Sequence, residues 1–550
     1  MADAPANDAA RTSEVARRPI PTWPLYTLLG ALVGAICYNG DIDGPLDLYH
    51  EGDRLATYDA VCEGALPFRD FYVSHGLGED VIKPYLACKL FGVSVESVRR
   101  IGRNSYIYSG YLPVLGPLAV LLAGIAWLRD VRAVGLLAIL LTCGLYEISE
   151  RPAAAMLAVA AAGMWHHSRR YHWLVICGFL VGLAALYSTE TGVFAAAAIG
   201  IWLLVLPRTS PVHSRASTIG IFAVGILAIL LPFVAWCTAN GILADLIENL
   251  KIQFGLRGEV WPNRYPVPSW TADQPLGPNL FVLSAVIGLF YLLPLSYIAG
   301  IALAVSKRTQ ARLDASSLLL LAAIVGLVFW LSPFTQSDLW HVAYVSGTFF
   351  FFAVALFQFI LQSRRSLLAN SALGVAAAAL LSLFFVSEGG VLARRVTGRE
   401  NRLIPPHLHA AGRELVQTDL NRLGRIHIPI EQAAEVSAVV RVIQEKSSPE
   451  DYLLDLSDQP LYYFLAQRRC PTRFHLLSQC NSPNLRRVML DEVQAKPSLP
   501  KLILYPGLAE LPQDDIGSFI TRNYRPFAVI GGLRIFALNR EWREVEGLVP

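Results

Sequence analysis

Residues 218–238 read TIGIFAVGILAILLPFVAWCT, twenty-one positions without a single charge. A helix rises about 1.5 Å per residue, so a run of this length spans the roughly 30 Å hydrocarbon core of a bilayer. Ten further stretches of this kind start near Trp23, Asn104, Ala133, Ala153, Trp173, Val193, Asn279, Ser316, His341 and Ser366. In chain order the third to sixth are short and are separated by tight polar turns, which makes them two hairpins. The composition agrees: of 550 residues, 54% are hydrophobic and 16% charged, with a mean hydropathy of +0.43. A soluble chain needs more polar surface than this to cover itself. A net charge of +3, scattered along the chain, excludes a nucleic-acid partner. The expected fold class is an α-helical polytopic membrane protein of about eleven spans.

Orientation follows from the basic residues of the tail and short loops. Fourteen Lys and Arg, from Arg11 through Arg365, fall on one side, and the short loops of the other carry Arg151 alone. That bias makes the N-terminus cytoplasmic, and an odd number of spans puts the C-terminus outside. The first span lacks a small-residue cleavage site and is followed by more spans, so it is read as an anchor. The division is then a polar tail (1–22), a membrane part (23–386) with long outer loops at 40–103 and 240–278, and an outer segment (387–550). The expected location is a bacterial inner (plasma) membrane, with the C-terminus periplasmic.

The last segment changes in kind. Glu431–Glu445, Pro460–Gln467 and Leu485–Gln494 have helical periods, while Tyr452–Leu456 and Lys501–Tyr505 read as strands. Pro526–Ile530 and Leu533–Leu538 flank Gly531-Gly532 like a hairpin. This pattern predicts a C-terminal extracytoplasmic α/β domain. Cys62 with Cys88, and Cys470 with Cys480, share outer segments and either bridge or remain thiols. No Cys/His spacing points to zinc.

Polar groups are densest in the first outer loop. Asp41, Asp43, Asp47 and Glu51 follow closely on the first span, and His50-Glu51-Gly52-Asp53-Arg54, Gly64–Tyr72 and His75-Gly76 come next. Carboxylates held just above a bilayer suit a general base acting on a lipid-anchored substrate; the alternative is that they only cap and turn a loop. Aromatics interleave with Arg257, Glu259 and Arg264 in the second long loop, an arrangement that can stack on sugar rings and grip phosphate, or form an interfacial belt.

The stretch His50–Gly92 resembles the first luminal loop of membrane glycosyltransferases of the GT-C class, which include protein O-mannosyltransferases and lipid A aminoarabinose transferases. The resemblance rests on Glu51, Leu55-Ala56, Gly64–Phe68, Arg69-Asp70 and Phe91-Gly92. Ser337-Asp338-Leu339-Trp340-His341 is similar to a polar turn that precedes late helices in related bacterial enzymes. Where those enzymes carry an Asp-Glu pair, this chain has His50-Glu51. The resemblance implies a base at Glu51, while closeness to the membrane and the class's preference for Asp favour Asp43. It also implies a polyprenyl-phosphate sugar donor, with a glycan, lipid or protein acceptor.

Such a transfer requires a carboxylate to take the acceptor's proton and cations to stabilise the departing phosphate. The cation candidates are Arg69, His75, Arg257, Arg264 and His341, with Arg151 at a helix mouth beside Glu147 and Glu150; Asp338 joins the substrate-binding set. No cofactor is required, and although Asp41-Ile42-Asp43 has the spacing for a divalent metal, none is expected there. A lipid or polysaccharide transporter or flippase would show inverted repeats and midplane polar groups, which are not evident. An O-antigen ligase or polymerase would place an Arg-rich catalytic loop late in the chain.

Overall fold

The computed structural model describes residues 23–38, 42–102, 110–128, 130–143, 149–206, 214–255, 265–267, 283, 286–306, 313–335, 339–362, 371, 374–376, 414–507 and 510–539. The chain enters the bundle as α1 (Trp23–Cys37) and leaves it for α2 (His50–Cys62), α3 (Lys83–Phe91) and α4 (Val95–Gly102). It returns through α5 (Leu115–Trp127), α6 (Val131–Cys143), α7 (Ala153–Ser168), α8 (His172–Tyr187), α9 (Thr189–Val205) and α10 (Arg215–Ala239). After the short helix α11 (Leu243–Leu250) come α12 (Leu293–Ser306), α13 (Leu313–Phe329), α14 (Leu331–Thr335) and α15 (Leu339–Gln362).

Helix therefore underlies the first ten apolar stretches; the eleventh, from Ser366, lies almost wholly outside the described residues. Arg215–Ala239, Val286–Ser306, Asp314–Phe334 and Tyr344–Gln362 are long and apolar enough to cross a membrane, and the protein is a multi-pass membrane protein. Only 17% of the α10 stretch is buried, against 78% for those of α13 and α15, so α10 turns most of its surface outward while the other two form the bundle's centre. In the second stretch the described helix begins at Leu115, after a turn at Leu112–Val114; Asn104 lies outside the described residues. Pro113 and Pro117 suit this start, because the first turn of a helix leaves its N–H groups without intrahelical partners and proline has none to lose.

The C-terminal unit is built on a four-stranded sheet of β3 (Leu453–Asp455), β4 (Leu502–Pro506), β5 (Tyr524–Ile530) and β6 (Leu533–Leu538), preceded by the short pair β1 (Leu415–Val416) and β2 (Ile428–Pro429). The spatial order is β3-β4-β6-β5, with β3 and β4 parallel and the β5–β6 hairpin antiparallel. Strands buried on both faces read as continuous apolar runs, as Leu502-Ile503-Leu504 does. Helices α16 (Ile430–Lys446), α17 (Leu461–Ala466), α18 (Pro483–Gln494) and α19 (Asp515–Asn523) cover it. The hairpin and the helices α16 to α18 match the expected pattern; α19, capped by Asp514 on the peptide N–H groups of Ile516 and Gly517, was not foreseen.

This unit does not stand apart. Leu55, Ala56 and Tyr58 of α2, with Ala87, Cys88, Val95 and Val98, share one apolar core with Val436, Val440, Leu453, Leu461 and Ile535. A Cβ on Gly52 would lie 2.1 Å from the Leu461 nitrogen, so α2 crosses α17 at a distance only glycine allows. The first outer loop, assigned on sequence to the membrane part, is packed as part of the α/β unit. Cys62, Cys88, Cys470 and Cys480 are thiols in this structure.

Candidate active site

The segment after α2 is drawn down onto the membrane bundle. Cβ atoms on Gly76 and Gly78 would lie 2.7 Å from the Tyr187 carbonyl oxygen and 2.5 Å from the Tyr187 Cα. The Thr189 N–H donates to the His75 carbonyl at 2.7 Å. The tight π-helical turn Gly78–Ile82 is thereby seated on the α8–α9 junction, and its Glu79 and Asp80 are buried.

Glu79 is held between two guanidinium groups. Arg54 donates from Nη2 to Oε1 at 2.9 Å, and Arg151, just before α7, donates from Nη2 to the same oxygen at 2.8 Å. Arg151 Nε lies 2.6 Å from Oε2. Burial alone would raise this carboxyl's pKa; Arg151, His75, Arg54 and Lys83 outweigh it and hold the group well below the usual range. Beside it, buried Lys83 pairs with Glu150, and the Tyr187 hydroxyl donates to Glu150 at 3.3 Å. The Arg151 guanidinium stacks over the Tyr344 ring of α15 at 4.8 Å, and the His341 ring meets that tyrosine edge-on at 5.4 Å.

On the other flank, the His75 peptide N–H donates to Asp80 Oδ2 at 2.7 Å and its Nδ1 lies 2.9 Å from Oδ1. Asp53, one turn into α2, faces the α/β unit: its Oδ1 is 3.8 Å from His475 Nδ1 and has no hydrogen-bond partner. Burial, with the charge of Asp80, pushes Asp53 up to about 7. Burial likewise pushes His475 down to about 4, so its imidazole is neutral at physiological pH. A carboxyl titrating near neutrality beside paired cations is equipped to exchange a proton.

The second outer segment reaches the same place. Asn249 of α11 accepts from the Val73 N–H at 3.0 Å and donates to its carbonyl at 2.9 Å. Arg473 of the α/β unit pairs with Glu248 at 2.8 Å, and Gln479 donates to Ser74 Oγ at 2.9 Å. Parts of all three long outer segments thus meet above one end of the bundle.

The sequence candidates divide. His75 and His341 are brought to the cluster, and Arg151 pairs with Glu79; Glu147 lies outside the described residues. Glu51 is not presented as a base: Arg99 donates to its two oxygens at 2.6 and 3.0 Å, the Asp47 N–H donates at 3.1 Å, and both side chains are fully buried. Arg99 also donates to the carbonyls of Ile42, Gly44 and Pro45, so the pair is a staple tying α2 to α4 and to the chain leaving α1. Asp43 accepts from the His427 N–H at 2.7 Å and joins the loop to β2. Arg69 is half exposed and pairs with its neighbour Asp70 at 3.2 Å. Arg257, Arg264, Asp338 and Asp41 lie outside the described residues. The residues missed were Asp53, Glu79, Asp80 and Lys83; their one sequence signal was charge in a segment bound for burial. A divalent ion finds poor purchase at Glu79, because Arg54 and Arg151 already occupy its oxygens.

Comparison with solved structures finds helical membrane proteins of similar extent at low identity. Among solved structures, ArnT from Cupriavidus metallidurans bound to undecaprenyl phosphate aligns over 94% of this chain and 98% of its own, at 13% identity and a TM-score of 0.43. The Archaeoglobus fulgidus oligosaccharyltransferase in complex with zinc and sulfate aligns over 88% of this chain and 68% of its own, at 13% identity and a TM-score of 0.45. No family model and no curated protein sequence matches the chain.

Proposed function

We propose that the protein is a membrane glycosyltransferase that moves a sugar from a polyprenyl-phosphate donor to an acceptor on the outer face, by a single inverting displacement. The observation that carries this reading is the buried cluster of Arg54, Arg151 and Lys83 with Glu79 and Glu150 where three long segments meet, with Asp53 beside Arg54 in α2 as the carboxyl raised toward neutrality. Asp53 takes the proton of the acceptor hydroxyl, and the resulting oxygen attacks the anomeric carbon. The bond from that carbon to the phosphate oxygen breaks, and polyprenyl phosphate leaves with the electron pair. Arg151, Lys83, His75 and His341 meet its charge, with Glu79 and Glu150 fixing the basic groups in place.

Asp53 replaces Glu51 and Asp43 as the preferred base because their carboxylates are held by Arg99 and His427. Arg257, Arg264 and Asp338 remain proposed donor-site residues on sequence grounds. The acceptor is a glycan, a lipid or a protein. The test is analysis of surface glycans after deletion of the chain: one sugar should disappear, return with the wild-type chain, and stay absent with Asp53→Asn. An unchanged glycan profile contradicts the proposal.

A further inference from the structure

At the other end of α7, fifteen residues and about 22 Å along the axis from Arg151, lies a second cluster of ligating side chains. His166 and His167 close α7, and Asp314 opens α13. One ligand atom from each can be chosen so that all lie within 4.8 Å of one another. The edge from His166 Nε2 to Asp314 Oδ1 is 3.3 Å. Ligands about 2.0–2.1 Å from a tetrahedral ion stand roughly 3.4 Å apart, so this edge already has the length such an ion needs. His167 closes the third corner by a rotamer adjustment of about an ångström.

Three further features suit a cation here. His166 is 4% exposed and its Nδ1 has no hydrogen-bond partner. Both histidines sit at the C-terminal end of α7, where unsatisfied carbonyls and the helix dipole favour positive charge. Trp127 stacks on His166 at 5.2 Å and meets His167 edge-on at 5.8 Å, while Trp202 lies 6.0 Å from His166, so the indoles shield one side. Arg169, whose guanidinium lies over the Trp165 ring at 5.1 Å, opposes this with its positive charge and sets a demand for a strongly bound ion.

We infer that His166, His167 and Asp314 form a binding site for a divalent transition metal of the imidazole-preferring class, Zn²⁺ or Co²⁺, which clips α7 to α13 at the end of the bundle opposite the candidate active site. Water completes the coordination. The inference is independent of the proposed transferase activity.

The test uses the full chain in detergent, without a histidine tag and stripped with EDTA. Co²⁺ is titrated and followed by its visible ligand-field absorption, with Zn²⁺ added as competitor. One Co²⁺ per chain should bind and be displaced by Zn²⁺. Asp314→Asn and His167→Ala, both at exposed positions, should each weaken Co²⁺ binding by at least about tenfold; His166→Ala should abolish the absorption. Should His166→Ala fail to fold, the two exposed variants decide alone. Absence of Co²⁺ absorption in the wild type, or wild-type affinity in both exposed variants, overturns the inference and leaves His166–Asp314 as a simple helix-to-helix contact.

Discussion

Arg151 and Glu79 stand 72 positions apart in the chain and are joined twice, Nε to Oε2 at 2.6 Å and Nη2 to Oε1 at 2.8 Å. Glu79 is fully buried, and Arg151 supplies the charge that neutralises it from just before α7. Removing one partner of a buried pair strands a charge, which costs about 3–5 kcal/mol. The same pair links α7 to the first outer loop and, through Tyr344, to α15.

Asp53→Asn keeps the size of the side chain and removes its basicity. Turnover should fall by about 100-fold or more, with donor affinity little changed. In the wild type, activity should rise as pH passes through about 7, where Asp53 loses its proton, and this limb should vanish in the variant. The sign for stability is opposite. Asp53 keeps its proton in the folded state up to about 7 but loses it near 4 when unfolded, so between those values the native state binds more protons and this group lowers stability as pH rises. Thermal unfolding across that window should fall less steeply with pH for Asp53→Asn than for wild type.

Arg99→Ala leaves Glu51 buried without its partner. Stability should drop by about 3–5 kcal/mol, read as a lower unfolding temperature, whereas Glu51→Met with Arg99→Leu should recover much of the loss. Activity per folded molecule in the double variant should stay within a few-fold of wild type. A catalytic Glu51 would instead leave the stable double variant inactive.

Arg151→Ala should weaken binding of a lipid-phosphate sugar analogue and slow turnover together, by about 1.5–3 kcal/mol as for a lost charge-assisted contact. Arg151→Lys should restore part of this, because a point charge cannot reproduce the planar fork that spans both Glu79 oxygens. Donor affinity unchanged in Arg151→Ala would remove this residue from the donor site.

Gly78→Ala puts a methyl group against the Tyr187 Cα, where the Cβ would be 2.5 Å away. The loop must lift from the α8–α9 junction, parting Glu79 from Arg151, and both stability and transfer should fall; overpacking of this kind costs about 1–3 kcal/mol. Gly30→Ala, with nothing within 4 Å of its Cβ, is the control and should leave both unchanged. Unfolding temperatures and turnover of the two variants check this.

The membrane helices were legible because length and apolarity alone mark them, as residues 218–238 do. The β5–β6 hairpin was legible because Gly531-Gly532 separates two β-rich runs. The helix at Asp515–Asn523 was obscured by its shortness and by Gly517, a poor helix former. The surroundings of Glu51 were not legible for a different reason: likeness to a motif gives a position, while its pairing with Arg99, 48 residues on, is a contact the motif does not encode. Asp53 and Glu79 were hidden because their roles depend on His475 and Arg151, contacts no local pattern encodes.

The most direct measurement is release of polyprenyl phosphate from a labelled polyprenyl-phosphate sugar by the full chain in lipid nanodiscs, with envelope material from a deletion strain as acceptor. With a panel of such donors, wild type should release polyprenyl phosphate from at least one and transfer label to the acceptor fraction. Asp53→Asn should bind the same donor and release about 100-fold less or lower still. No release or transfer from any donor by wild type, or equal turnover by wild type and Asp53→Asn, would contradict it.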